Sequence, residues 1–182
     1  ITVSKDASSP VTAIVYDNQT VTTLAAKFDA VTAGYNITDM TVTVGASANT
    51  VVQSVMIYDG ATLVAQGPMT TSTTAVFNGL SVNVPANSNK VLTVKLQLGT
   101  VGVGAGTTGA TLTTSIAAAT DVIYTNTSTG VSTSNSTEEA GTATGSTTYV
   151  YASIPTVNRV ALPTTVLASG TQVLAKFDVV SN

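Results

Sequence analysis

Cysteine, histidine and tryptophan do not occur in this chain of 182 residues. Without cysteine it forms no disulfide and offers no thiolate nucleophile. Without cysteine or histidine it lacks the usual zinc ligands and the commonest general base near neutral pH. Charge is scarce as well: 8% of the residues are Asp, Glu, Lys or Arg, against about 25% in an ordinary soluble domain. The net charge of −3 leaves no basic stretch to neutralise phosphates, so nucleic acid is not an expected partner. The longest apolar runs fall far short of the ~20 residues that a membrane-spanning helix needs. No 3.6-residue periodicity is sustained, and Ala117-Ala118-Ala119 is too short to count beside its Thr and Gly neighbours.

Hydroxyl residues take the place of charge: 36 Thr and 17 Ser. Threonine is β-branched and keeps a hydroxyl toward water, which suits the outer face of a strand. With 43% hydrophobic residues there is enough for a core, and the composition reads as an all-β chain with a neutral surface. The chain opens on Ile1 rather than Met. That start fits either a trimmed chain or a mature secreted one whose signal has been removed, and neutral, Thr-rich surfaces, which suit the outside of a cell, favour the second.

The pattern is organised around Leu24-Ala25-Ala26-Lys27-Phe28-Asp29-Ala30-Val31, which returns near the end as Val173-Leu174-Ala175-Lys176-Phe177-Asp178-Val179-Val180. Leu24, Ala26, Phe28 and Ala30 alternate with Ala25, Lys27, Asp29 and Val31, a period-2 signal for a strand. Val173, Ala175, Phe177 and Val179 repeat the inward set, so Phe28 and Phe177 are expected in equivalent pockets. A self-match at long offset marks a modular repeat. Residues 1–154 are expected to form the main module, and 155–182 a linker with trailing strands. Those strands either begin a further module or serve a neighbouring molecule.

Between the two copies the chain alternates repeatedly. From Asn36 to Val44, Thr38, Met40, Val42 and Val44 share one face. Asp59-Gly60 separates two strand-like runs and is the strongest hairpin signal; Asn78-Gly79 is a second turn signal. Lys90 to Leu98 is the cleanest strand, with Leu92, Val94, Leu96 and Leu98 on one side, and is expected to lie centrally. Asn126 to Thr147, rich in Ser, Thr and Gly, reads as a long exposed loop. The expected fold is an antiparallel immunoglobulin-like β-sandwich of about eight to ten strands with a trailing C-terminal extension.

Leu-x-x-Lys-Phe-Asp, Tyr58-Asp59-Gly60-x-x-Leu63, and Phe77-Asn78-Gly79-Leu80-x-Val82-x-Val84-Pro85 followed by Leu92-x-Val94 together carry a resemblance. The chain resembles the repeated Thr/Ser-rich immunoglobulin-like modules of prokaryotic cell-surface proteins, including surface-layer-like chains. The similarity covers roughly residues 20–98 and rests on packing motifs. It implies an extracellular, repeated, structural module without catalytic residues.

Candidate sites are few. Gly102-x-Gly104-x-Gly106 has the look of a phosphate loop, but no Lys follows it and no helix opens after it, so a strand connection is the better reading. Among Asp6, Asp17, Asp29, Asp39, Asp59, Asp121, Glu138, Glu139 and Asp178, no pair stands out for glycoside hydrolysis. No enzyme activity or cofactor is expected. A calcium site could draw on Asp17, Asn18, Asp121 or Glu138, although no Asp-x-Asp-x-Asp run is present. Asn-x-Ser/Thr occurs at Asn18, Asn36, Asn126 and Asn135, with Asn126 and Asn135 in the expected loop. Tyr149 and Tyr151 share a strand face suited to a module interface or to stacking on a sugar. Two functions follow as expectations. The first is a structural subunit of an extracellular filament, thread or surface layer, whose trailing strand (Val173, Ala175, Phe177, Val179) enters a sheet of another copy. The second is a secreted carbohydrate-binding or adhesive module that meets cell-surface glycans.

Overall fold

The computed structural model describes residues 1–46, 48–133, 139–164, 166 and 169–181. The chain divides between Ala152 and Ser153 into two compact units. The strands are numbered in chain order. The first unit begins with β1 (Thr2–Lys5), β2 (Ala13–Tyr16), β3 (Thr20–Ala30), β4 (Tyr35–Thr43), β5 (Val52–Asp59), β6 (Thr62–Gly67), β7 (Thr74–Phe77) and β8 (Val82–Val84). It continues with β9 (Ser88–Leu98), β10 (Ala110–Leu112), β11 (Ser115–Ala117), β12 (Val122–Asn126), β13 (Ser132–Thr133), β14 (Thr142–Thr144) and β15 (Thr148–Tyr151). Among the described residues, helix is limited to a 3-10 turn at Ala48–Thr50 and one α turn, α1 (Ala118–Asp121). The chain is all-β, as its patterning predicts. It is more finely divided than the eight to ten strands expected, with many strands of only two to four residues.

One layer is an antiparallel sheet in the order β1-β3-β9-β5-β6. The strand with the all-aliphatic face, β9, lies at its centre between β3 and β5. The facing layer runs β13-β12-β4-β11-β14, with β7 and β8 on the other edge of β4. Leu24, Ala26 and Phe28 of β3, Leu92 to Leu98 of β9 at alternate positions, and Ile37, Met40 and Val42 of β4 join one buried cluster. The Tyr35 and Tyr124 rings meet edge to face inside it, 4.8 Å between centroids. A third, smaller sheet, β10-β15-β2, completes the unit; there β2 runs parallel to β15.

Two local readings within the first unit need correction. In β4 the simple alternation predicts Ile37 outside and Thr38 inside, yet Tyr35 and Ile37 are buried and Thr38 is not. The pairing with β12 passes from Asp39 to Ile37 and skips Thr38. That bulge switches the inward set, and a single-strand pattern cannot display it. The second correction concerns Asn126 to Thr147. Part of that segment is strand: β13 pairs with β12, and β14 pairs with β11 while burying Ala143. Glycine makes this possible. A Cβ at Gly141 would collide with the carbonyl oxygen of Val3, and one at Gly145 with that of Thr23. The Thr/Gly tract is therefore laid against β1 and β3 at backbone-to-backbone distance.

The second unit contains β16 (Pro155–Val160) and β17 (Lys176–Ser181), which pair antiparallel as a two-stranded sheet. Residues 155–160, read from the sequence as linker, are strand. Their Thr156, Val157 and Val160 are β-branched, and Pro155 takes the first position, where a missing N–H is tolerated. The trailing strand begins at Lys176, after Val173 and Ala175 of the expected inward set.

Candidate assembly surfaces

The aspartates of the first unit have ordinary structural partners. Asp6 accepts from the Ser8 hydroxyl at 2.6 Å and from its amide at 2.8 Å, and these bonds hold its carboxyl below the usual range. Asp17 accepts from the Val101 amide at 3.1 Å, and Asp39 from the Gly79 amide at 3.3 Å. Asp121 accepts from the Ala117 amide at 2.8 Å, across the turn of α1. Asp29 pairs with Lys27 at 2.9 Å, Asp59 with Lys90 at 2.7 Å, and Lys95 lies over the Tyr58 ring. Glu139 is buried. Among the described residues no group of three or more acidic side chains is gathered; Glu138, a calcium candidate, lies outside them.

The glycine-rich segment forms a compact turn, with the Gly102 amide donating to the Gly106 carbonyl at 2.8 Å. It borders an open cleft of about 680 Å3 whose lining, including Asn49, Gln53, Met69 and Thr100, carries no charged side chain.

The glycosylation candidates fall in different surroundings. Asn18 is exposed at a turn with φ 56°. Asn36 is half-buried in mid-sheet, paired with Thr125 on one side and Asn83 on the other. Asn126 ends β12, and its side-chain oxygen accepts from the Ser128 amide at 2.9 Å. Asn135 lies outside the described residues.

Among the described residues, two sheets gather several exposed apolar side chains on one face. On the small sheet, Tyr149 and Tyr151 point outward while Thr148 and Val150 are buried. The parallel pairing sets Ile14 beside Tyr149 and Tyr16 beside Tyr151. Ile14 is 60% exposed and Tyr16 44%. The Ala13 amide donates to the Thr147 carbonyl and the Asp17 amide to that of Tyr151, so Ile14 and Tyr16 turn their backbone groups to the outer edge. The sequence marks the two tyrosines of β15 but not their neighbours, because the pairing joins the two ends of the first unit.

The other surface is β16–β17. Paired residues of an antiparallel ladder share a face, so Val157 with Val179 and Arg159 with Phe177 lie on one side. Val157 and Phe177 are each 64% exposed and Val179 61%. Phe177 thus occupies no counterpart of the Phe28 pocket, where Phe28 is fully buried. Val173 and Ala175 precede β17 and are exposed. Phe177 and Val179 alone of the four trailing-strand residues lie in the ladder.

No family model and no curated protein matches the chain. Among solved structures, a family 123 glycoside hydrolase from Clostridium perfringens aligns over 78% of this chain and 23% of its own, at 10% identity and a TM-score of 0.36. A likeness of that size carries no argument about fold or chemistry.

Proposed function

We propose that the chain is a structural, non-catalytic subunit of an extracellular assembly, a filament, thread or surface layer built from copies of itself. The copies are joined by strand addition at the β16–β17 pair. The observation that carries this reading is the exposed apolar face of Val157, Phe177 and Val179 on a sheet of only two strands. A two-stranded sheet is marginal in water, and an unpaired apolar edge is a template for another strand. Strand addition satisfies the edge and sets the side chains of the entering strand beside those of β17. The immunoglobulin-like resemblance and the neutral, hydroxylated surface fit a wall component outside the cell. The test is to delete Thr171–Asn182 and examine the product by electron microscopy. Loss of polymer is the expected result; a truncated chain that still forms the same filaments or sheets overturns the proposal.

A second reading, a secreted carbohydrate-binding or adhesive module, is favoured by one observation. Tyr16, Tyr149 and Tyr151 lie exposed on one face of the small sheet, and aromatic rings there could stack on a sugar. Monodisperse particles that bind a glycan, and lose it on Tyr149→Ala, would favour that reading over the first.

A further inference from the structure

The second unit repeats more of the first than the Lys-Phe-Asp strand. Thr156-Val157-Asn158-Arg159 of β16 corresponds to Thr2-Val3-Ser4-Lys5 of β1. Both precede a Lys-Phe-Asp strand and both pair with it antiparallel. In the first unit Val3 stands opposite Phe28; in the second Val157 stands opposite Val179 and Arg159 opposite Phe177. The register differs by two residues, which leaves each side chain on its face. Val157, Phe177 and Val179 therefore occupy the face that Val3, Phe28 and Ala30 bury at 1%, 0% and 2% exposure.

Among its described residues the second unit shows no counterpart of β9. In the first unit β3 takes β1 on one edge and β9 on the other. Ladder pairing with β1 reaches only from Ala26 to Asp29, whereas β9 pairs from Thr20 to Ala30. In the strand ladder the first half of β3 pairs only with β9, while on its other edge the Ala25 carbonyl accepts from the Asp6 amide and the Ala25 amide donates to the Ser9 hydroxyl. The matching half of the second unit, residues 171–175, has no such neighbour in its two-stranded sheet and is not strand. The missing edge partner accounts for the shorter strand; the uncovered face goes with the lack, among the described residues of this unit, of a facing layer like the one β4 belongs to.

We propose that the open edge of β17 receives an antiparallel strand of the β9 type: lysine at its start, then Leu or Val at alternate positions. Transferred from the first unit, the register sets the counterpart of Lys90 opposite Phe177, that of Leu92 opposite Ala175 and that of Val94 opposite Val173. The entering strand extends β17 back to residue 171 and sets its aliphatic residues beside Val173 and Ala175 on the same face of the sheet. This deepens the strand-addition reading by naming the strand that enters.

The test uses a labelled peptide, Ser88–Leu98 of this chain, added to the intact protein. Fluorescence anisotropy reads binding, and hydrogen exchange reads its place. Saturable binding is expected, with amide protection gained from 171 to 180 and unchanged in β3. Phe177→Ala should weaken binding at least tenfold, and a peptide with Leu92, Val94 and Leu96 replaced by Ser should not bind. Absence of binding, or binding that Phe177→Ala leaves unchanged, or protection gained only outside 171–180, overturns the inference. Polymer formation is scored separately. Peptide binding without polymer leaves this inference standing and removes the assembly reading; polymer without peptide binding does the reverse.

Discussion

Phe28→Ala should lower the stability of the first unit by about 3–5 kcal/mol, the usual cost of removing a phenyl ring from a packed core. For a domain of this size that is on the order of 10 °C in melting temperature. Phe28 is fully buried, among Leu24, Ala26 and the aliphatic face of β9 in one cluster. Phe177→Ala removes the same ring from the same local sequence, but from a site 64% exposed. It should leave the main transition within about 0.5 kcal/mol of its starting value. Calorimetry of the two variants side by side gives the comparison. Equal destabilisation would mean that Phe177 belongs to the core of the first unit, contrary to its exposure.

Gly141→Ala should destabilise more than its chemistry suggests. Gly141 has φ 86° and stands against the carbonyl of Val3. An alanine there meets both a disfavoured backbone conformation and a backbone atom that cannot move without disturbing β1. Gly60→Ala is the matched comparison, since Gly60 has φ 57° and open space around its Cβ position. Gly60→Ala should cost about 1 kcal/mol from conformation alone. Gly141→Ala should cost roughly 1–3 kcal/mol beyond that, the range for forced overpacking. Limited proteolysis should then find residues 139–147 cleavable in Gly141→Ala and resistant in the parent. Equal stabilities for the two variants would remove the close approach as the reason this tract is held.

The parts of the fold legible in the sequence are those whose signal is local. The alternation of β3, the aliphatic face of β9 and the Asp59-Gly60 turn each lie within about ten residues, and each appears where the pattern puts it. The failures are non-local. Thr38 is displaced by a bulge set by the partner strand, and Ala143 is drawn inward because Gly141 and Gly145 let the backbone close on β1 and β3. For the candidate surfaces, the outward face of Tyr149 and Tyr151 is legible in β15, while the flanking Ile14 and Tyr16 depend on a parallel pairing that no local motif announces. The match of Thr156-Val157-Asn158-Arg159 to β1 is short and slightly altered, and gains meaning only once both strands are paired.

The position of β9 in the chain has a consequence for synthesis. Its partner β3 is complete at Ala30, but β9 does not begin until Ser88. At about 5–20 residues per second, the ribosome needs roughly 3–11 s to make what lies between. For that interval the nascent β1–β3 pair has the bare edge and uncovered phenylalanine that β16–β17 displays in the finished chain. Each growing copy thus passes through a sticky, half-built stage. A β17 edge on a neighbouring molecule presents the same bait to any β9 that arrives, so crowded synthesis should favour strands exchanged between chains.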